Sequence, residues 1–338
     1  MTPKPVSELI AGASFRAPAR PSDGKSTSTF ERLNINGQRY FLKRNSPSTD
    51  WLMRAMGDHV HRPYIVWQAG IMDRVPNCID HTVVAMEVEG TGEEAVLSTL
   101  MRDVGEHFIP EGGAVVGKDK HERFVDHLAQ LCAEFWDFED PTGGLLTSMA
   151  ERLRFFEASF VAREMAIDQP PGTIVVADAG WRALPERSPL LHDLAVTVWE
   201  QPELLTRPLA DTPWTFLQGD WKMGNLGMHP GGRTILVDWA YPGAGPPCWD
   251  FCWYLALNQA RLPESKEATI ARFRGDLERH GIDTGEWFDT QLDLCMAGIM
   301  VTFAWEKAHD SDSELRWWEN RVAEALSRQG LNLARSRS

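Results

Sequence analysis

Residues 218–240 read QGDWKMGNLGMHPGGRTILVDWA. Two short apolar runs, 226–229 and 234–237, flank Pro230-Gly231-Gly232, which is a hairpin with a tight turn. A third apolar run, 214–218, leads into Asp220. Asn225 follows five residues later, and Asp238 ends the hairpin eighteen residues after Asp220. Outward from here the chain changes character. Upstream, from Lys118, helical periods dominate: residues 121–138, 145–164 and 188–200 repeat apolar positions three and four apart. Downstream, helices are expected over 249–258, 265–280, 286–307 and 313–328. The first hundred residues differ. Alternating runs at 29–35 and 38–44 flank Asn36-Gly37, a strong hairpin signal, and two more strands are expected near 82–87 and 94–104, with one helical stretch over 50–59. This order predicts an α+β chain of two lobes: a small antiparallel β lobe over 1–103, a hinge over 104–117, and a larger, mainly helical lobe over 118–338.

The chemistry of the hairpin points the same way. Moving a phosphoryl group needs a metal ion to neutralise phosphate oxygens, oxygen ligands to hold that metal, and a carboxylate to orient the attacking hydroxyl. Asp220 is placed to accept the hydroxyl proton, and Asn225 and Asp238 to hold Mg²⁺. The Asp-x-x-x-x-Asn spacing followed by a second Asp after a strand–turn–strand is similar to the kinase catalytic loop. In detail the segment resembles the aminoglycoside phosphotransferase and choline kinase-like family, with a protein kinase-like fold. There the loop reads His-Gly-Asp, then Asn, then Ile-Asp-Trp. Here it is Gln218-Gly219-Asp220, Asn225 and Val237-Asp238-Trp239. Gln218 replaces a residue that mainly scaffolds the loop. Gly245-Pro246-Pro247-Cys248-Trp249-Asp250 resembles the family's Gly-x-Pro-x-x-Asp at a helix start, which implies that Asp250 supports the loop backbone. Lys222 stands where many protein kinases carry a lysine directed at the γ-phosphate, so it is expected to join Asp220 in catalysis.

The resemblance also implies a nucleotide side, binding ATP or GTP. Lys43, in Tyr-Phe-Leu-Lys, matches the third-strand lysine that meets the α/β-phosphates. Its usual partner is a Glu on the next helix. No Glu lies between Lys43 and Val84, and Asp50 and Asp58 are the acids on offer. The loop joining the first two strands, residues 22–29 (SDGKSTST), would cover the phosphates with Ser26, Thr27 and Ser28. Its GKST string is not a P-loop: Ala19 stands where the first glycine belongs, and the following run alternates like a strand. Met101, Arg102 and Asp103 match the family's hinge, where backbone groups would meet the purine edge.

Net charge is −14, which disfavours nucleic acid and anionic membrane as partners. No run reaches the roughly 18 apolar residues of a membrane helix, and the first ten residues lack a basic region followed by an apolar stretch, so a cytoplasmic protein is expected, as monomer or homodimer. Five irregularly spaced cysteines read as reduced thiols rather than a disulfide framework or a zinc site. Only eleven residues separate Asp238 from Asp250, too few for a protein-kinase activation loop, so a small-molecule hydroxyl acceptor is expected. Family analogy points to an antibiotic of aminoglycoside, nucleoside or macrolide type, with an amino sugar or other metabolite, or an inactive nucleotide-binding module, as alternatives. Among the 14 tryptophans and the acids, Trp239, Tyr241, Trp253, Trp305, Glu306, Asp103 and Glu106 are the acceptor-site candidates.

Overall fold

The computed structural model describes residues 4–19, 27–331 and 333. Helix α1 (Val6–Ala11) precedes strands β1 (Ala13–Ala19), β2 (Thr29–Ile35) and β3 (Gln38–Asn45). Two short helices follow, α2 (Trp51–Ala55) and α3 (Arg62–Gln68), then β4 (Ile79–Asp80), β5 (Val83–Glu89) and β6 (Val96–Arg102). Five of these strands form one antiparallel sheet in the order β1-β2-β3-β6-β5. The Asn36-Gly37 turn closes β2 onto β3, both residues at positive φ as such a turn demands. The face carrying Leu33, Ile35, Leu42, Ala85 and Leu100 buries a small core against Val6 of α1.

The helical part begins with α4 (Lys118–Glu134), α5 (Met149–Arg154), α6 (Ala158–Met165), α7 (Gly172–Arg187), α8 (Pro189–Glu200) and α9 (Glu203–Ala210). Strands β7 (Thr215–Leu217), β8 (Leu226–Met228), β9 (Thr234–Leu236) and β10 (Gly243–Gly245) then precede α10 (Cys248–Leu257), α11 (Lys266–Arg279), α12 (Phe288–Lys307) and α13 (Asp312–Arg328). Helix α12 is buried almost all round, and α7, α8, α10 and α13 pack on it. A helix apolar on every side belongs at the centre of a lobe, and this one organises the larger core. The protein is thus an α+β chain with a protein kinase-like two-lobed fold.

Several elements escaped the sequence reading. Strand β1 and helices α1, α3, α7 and α9 carry weak or broken periodicity. The run over 145–164 is not one helix: α5, started by a Ser148/Glu151 capping box, stops at Phe155, and Phe156 adopts φ +62° before α6 begins. That break turns Phe155 and Phe156 together into the cleft between the lobes. The β2 strand that follows residues 27–28 confirms that no P-loop helix starts there. Strand β4 pairs in parallel with β9, so the outer chain of the small lobe is hydrogen-bonded to the hairpin that ends at Asp238. All five cysteines are free thiols, four of them buried and Cys78 part-buried. Among the described residues no helix is long and apolar enough to cross a membrane.

Candidate active site

Between the lobes lies a cleft of about 1150 Å³. Its lining includes Lys43, Asp50, Met101, Arg102, Asp103, Asp220, Lys222, Asn225, Asp238, Trp239, Tyr241, Trp253, Trp305 and Glu306. These candidates, scattered over 264 positions from Lys43 to Glu306, are therefore gathered on one surface.

The loop after β7 is built around Asp220. Gly219 has φ +93°, and a Cβ there would stand 2.1 Å from the Tyr241 carbonyl oxygen, so only glycine fits. The Gln218 side chain bridges the two ends of the hairpin. Its Oε1 accepts from the Asp220 amide at 2.8 Å and its Nε2 donates to the Asp238 carbonyl at 2.6 Å. An amide, with a donor and an acceptor on one tip, serves here where the family carries histidine. The Asp220 carboxylate is fixed at both oxygens. Oδ2 accepts from Asn225 Nδ2 at 2.7 Å and lies 3.0 Å from Lys222 Nζ. Oδ1 accepts from Trp253 Nε1 at 2.9 Å. Because Asn225 points its amide nitrogen at Asp220, its amide oxygen faces away from that carboxylate. Asp238 sits at φ +59°, a conformation uncommon outside glycine, which lifts its carboxylate into the cleft.

Helix α10 and a buried arginine support the loop. Asp250 Oδ2 accepts from the Gly219 amide at 3.0 Å. Burial pushes the Asp250 carboxyl up to about 6, against the pull of Arg152 and the loop amides. Arg152, on α5, is buried, donates to the Tyr241 carbonyl at 2.6 Å, and is itself pulled down to about 10 by that burial, despite the neighbouring Asp250. At the far end of α10, Asn258 Oδ1 accepts from the Met223 amide at 3.0 Å. Arg152 and Asn258 have no local signal in the sequence. Both lie outside the motif and reach it only through the fold.

The nucleotide-side residues fall as follows. Lys43 Nζ pairs with Asp238 Oδ1 at 2.8 Å, across the cleft. Burial would lower the lysine, but the charges of Asp238, Asp50 and Asp220 outweigh it and hold the ammonium above its ordinary value. Asp238 shows the converse: burial raises it, and Lys43 and then Lys222 bring it below the ordinary carboxylate value. The acid paired with Lys43 is therefore Asp238, with Asp50 as a more distant charge. Asp50 caps α2 and accepts from Ser28 Oγ at 2.7 Å; Asp58 accepts from the Arg62 amide at 3.1 Å. The Thr27 hydroxyl donates to the Thr49 carbonyl. Thr27 and Ser28 are thus tied to the start of α2 rather than lining the cleft, and Ser26 lies outside the described residues. The amides of Arg102 and Asp103 already donate to the carbonyls of Thr82 (3.0 Å) and Arg39 (3.1 Å), while Arg102 pairs with Asp80. Val104, which also lines the cleft, was not among the expected hinge contacts. The candidate Glu106 pairs with Arg39 on the surface.

The other end of the cleft is aromatic. Phe155, Phe156, Tyr241, Trp253, Phe303 and Trp305 line it, in mutual ring contact at centroid distances of 4.4–6.4 Å. Glu306 and the exposed Val176 of α7 stand at its rim.

Comparison with known proteins agrees with this geometry. Residues 19–285 match the model of a phosphotransferase enzyme family. No curated protein sequence matches the chain. Among solved structures, a microcompartment-associated aminopropanol kinase is 12% identical, with 97% of this chain and 98% of that one covered at a TM-score of 0.54. A spectinomycin phosphotransferase, solved with ADP and spectinomycin, is 12% identical over 98% and 99% at a TM-score of 0.50. At such identity they speak to the fold, and the family match supplies the chemistry. With 267 consecutive residues matched, and with the loop, the second aspartate and the strand lysine meeting in one cleft, the chain belongs to the phosphotransferase enzyme family and transfers phosphoryl groups to small-molecule hydroxyls.

Proposed function

We propose that the chain transfers the γ-phosphate of ATP or GTP, with Mg²⁺, to a hydroxyl of a small antibiotic-like molecule carrying an apolar ring system. The observation that carries the reading is the arrangement around Asp220. A single carboxylate is oriented at both oxygens and stands between a lysine–aspartate pair on one side and an aromatic wall on the other. The roles divide accordingly. Asp220 accepts the proton of the acceptor hydroxyl. Asn225, through its amide oxygen, and Asp238 would hold the metal, an oxygen pair of the kind Mg²⁺ prefers. When bound, the ion would neutralise phosphate charge. Lys43 and Lys222 reach the phosphates. The base is read by hinge backbone near Val104, since the amides of Arg102 and Asp103 are bonded internally. These groups do not separate adenine from guanine.

The acceptor end favours one of the open alternatives. An aminoglycoside presents several ammonium groups, and each asks for a carboxylate. The cleft is lined by acids as well, Asp50, Asp58, Asp103, Glu111, Asp220, Asp238 and Glu306, but six rings in mutual contact give its acceptor end a large apolar surface. That ring surface suits a nucleoside or macrolide type, and a resistance role fits either. The test is a phosphorylation screen with the purified protein, Mg²⁺ and ATP or GTP, against macrolides, nucleoside antibiotics, aminoglycosides and amino sugars. Product is followed as nucleoside diphosphate release and as acceptor mass gain. Phosphorylation of ring-bearing, weakly charged acceptors is the expected result. Preference for aminoglycosides would overturn the acceptor class, and nucleotide binding without transfer to any class would favour an inactive binding module.

A further inference from the structure

Two side chains of helix α10, three residues apart, hold the loop at its catalytic end. Asp250 holds the Gly219 amide, and Trp253 holds the Asp220 carboxylate. Positions i and i+3 share a helix face, so the two contacts act from one rigid surface. The first is the support that the Gly-x-Pro-x-x-Asp resemblance implies; the second belongs to no motif in the chain.

We infer that Trp253 is a positioning residue for the proton-accepting Asp220, fixing its carboxylate from the acceptor side through the indole N–H. The inference rests on the reading of Asp220 given above. Three side chains donate to or pair with this carboxylate: Asn225, Lys222 and Trp253. The first two have further duties toward metal and phosphate. An indole has a single donor and no acceptor, and here that donor is engaged by Asp220 Oδ1 alone. Trp253 cannot ionise and cannot turn to another partner without breaking its packing. Its ring is 3% exposed, stacked on Phe155 at 6.0 Å and edge-on to Phe303 at 4.7 Å. A donor so immobilised holds the carboxylate plane constant while Asn225 and Lys222 engage the nucleotide. The same ring lines the acceptor end of the cleft, so the residue that aims the base also forms part of the wall against which the acceptor rests.

The experiment compares the parent, Trp253→Phe and Asp220→Asn, using Mg·ATP with water as acceptor, together with the indole N–H resonances of isotope-labelled tryptophan. Trp253→Phe keeps a ring and removes the donor. It is expected to lower kcat about tenfold to a hundredfold, the loss of one hydrogen bond to a charged group, with KM for Mg·ATP unchanged. A Trp253→Phe protein with parental kcat, beside an Asp220→Asn protein that is inactive, overturns the Trp253 assignment alone, and a raised KM for Mg·ATP with parental kcat does so as well. An active Asp220→Asn protein overturns the reading of Asp220 and this inference with it. If Trp253→Phe does not fold, Asp220→Ala serves: the Trp253 indole resonance must then lose its hydrogen-bonded shift and exchange faster, and an unmoved resonance overturns the inference.

Discussion

The two faces of the cleft are built to different standards. On the α10 side the loop around Asp220 is clamped by buried partners: Gln218, Asp250, Asn258 and Trp253 each hold a named atom of it, and Arg152 holds the Tyr241 carbonyl just beyond. On the strand side, Lys43 meets Asp238 through one ion pair whose side chains are 16% and 30% exposed. The difference separates what must stay still from what must let go. The proton acceptor has to keep one geometry through the reaction. Lys43 and Asp238 are bonded to each other here, and on the proposed reading they part when phosphates and metal arrive. Elsewhere the two lobes are joined more firmly. Arg62 donates to Glu151 at 2.6 Å and Arg54 to Glu164 at 2.6 Å, which links the α2–α3 region to α5 and α6. A lysine–glutamate pair within the small lobe is therefore not what ties its helices in place.

The comparison breaks most visibly at the clamp. Replacing Arg152 by Leu removes its hydrogen bond to the Tyr241 carbonyl and the positive charge whose field reaches the buried Asp250, and about 1–3 kcal/mol of stability should be lost. Denaturant titration checks this, and a loss below about 0.5 kcal/mol would mean that Arg152 does not organise this part of the fold. The strand side should respond more gently and with a pH signature. Asp238 is depressed in the fold, so its contribution is present above its ordinary value of 3.8 and is lost as pH falls through the lower folded value. Lys43 is raised, so its contribution is present below 10.5 and is lost as pH rises through the higher folded value. The pair therefore stabilises the nucleotide-free protein across the window between those values and weakens at both ends. Asp238→Asn should flatten the acid side of a Tm-against-pH curve. Superimposable acid limbs would show that the ion pair contributes nothing measurable.

Much of this was legible in the residues because it is local. The hairpin announced itself through Pro230-Gly231-Gly232 and flanking apolar runs, and β2–β3 through Asn36-Gly37. Asp220, Asn225, Asp238 and Lys43 stand out by spacing and strand context, and they do converge. What stayed hidden is non-local. The acid paired with Lys43 was sought on the next helix and lies 195 residues away. Trp253 was read as acceptor wall, and its N–H points at Asp220, which no periodicity reveals. Arg152 looks like an ordinary helix arginine until α5 is packed on α12 and the side chain reaches the Tyr241 carbonyl. The hinge amides of Arg102 and Asp103 are occupied by strand neighbours, a consequence of pairing that side-chain identity does not encode.

The most direct measurement of the central claim is turnover by Asp220→Ala with nucleotide affinity measured in parallel. The account predicts a fall in phosphoryl transfer by about a hundredfold to ten-thousandfold, the usual worth of a positioned general base, with Mg·ATP binding close to that of the parent. Near-parental turnover, in a folded protein that binds nucleotide, would contradict it.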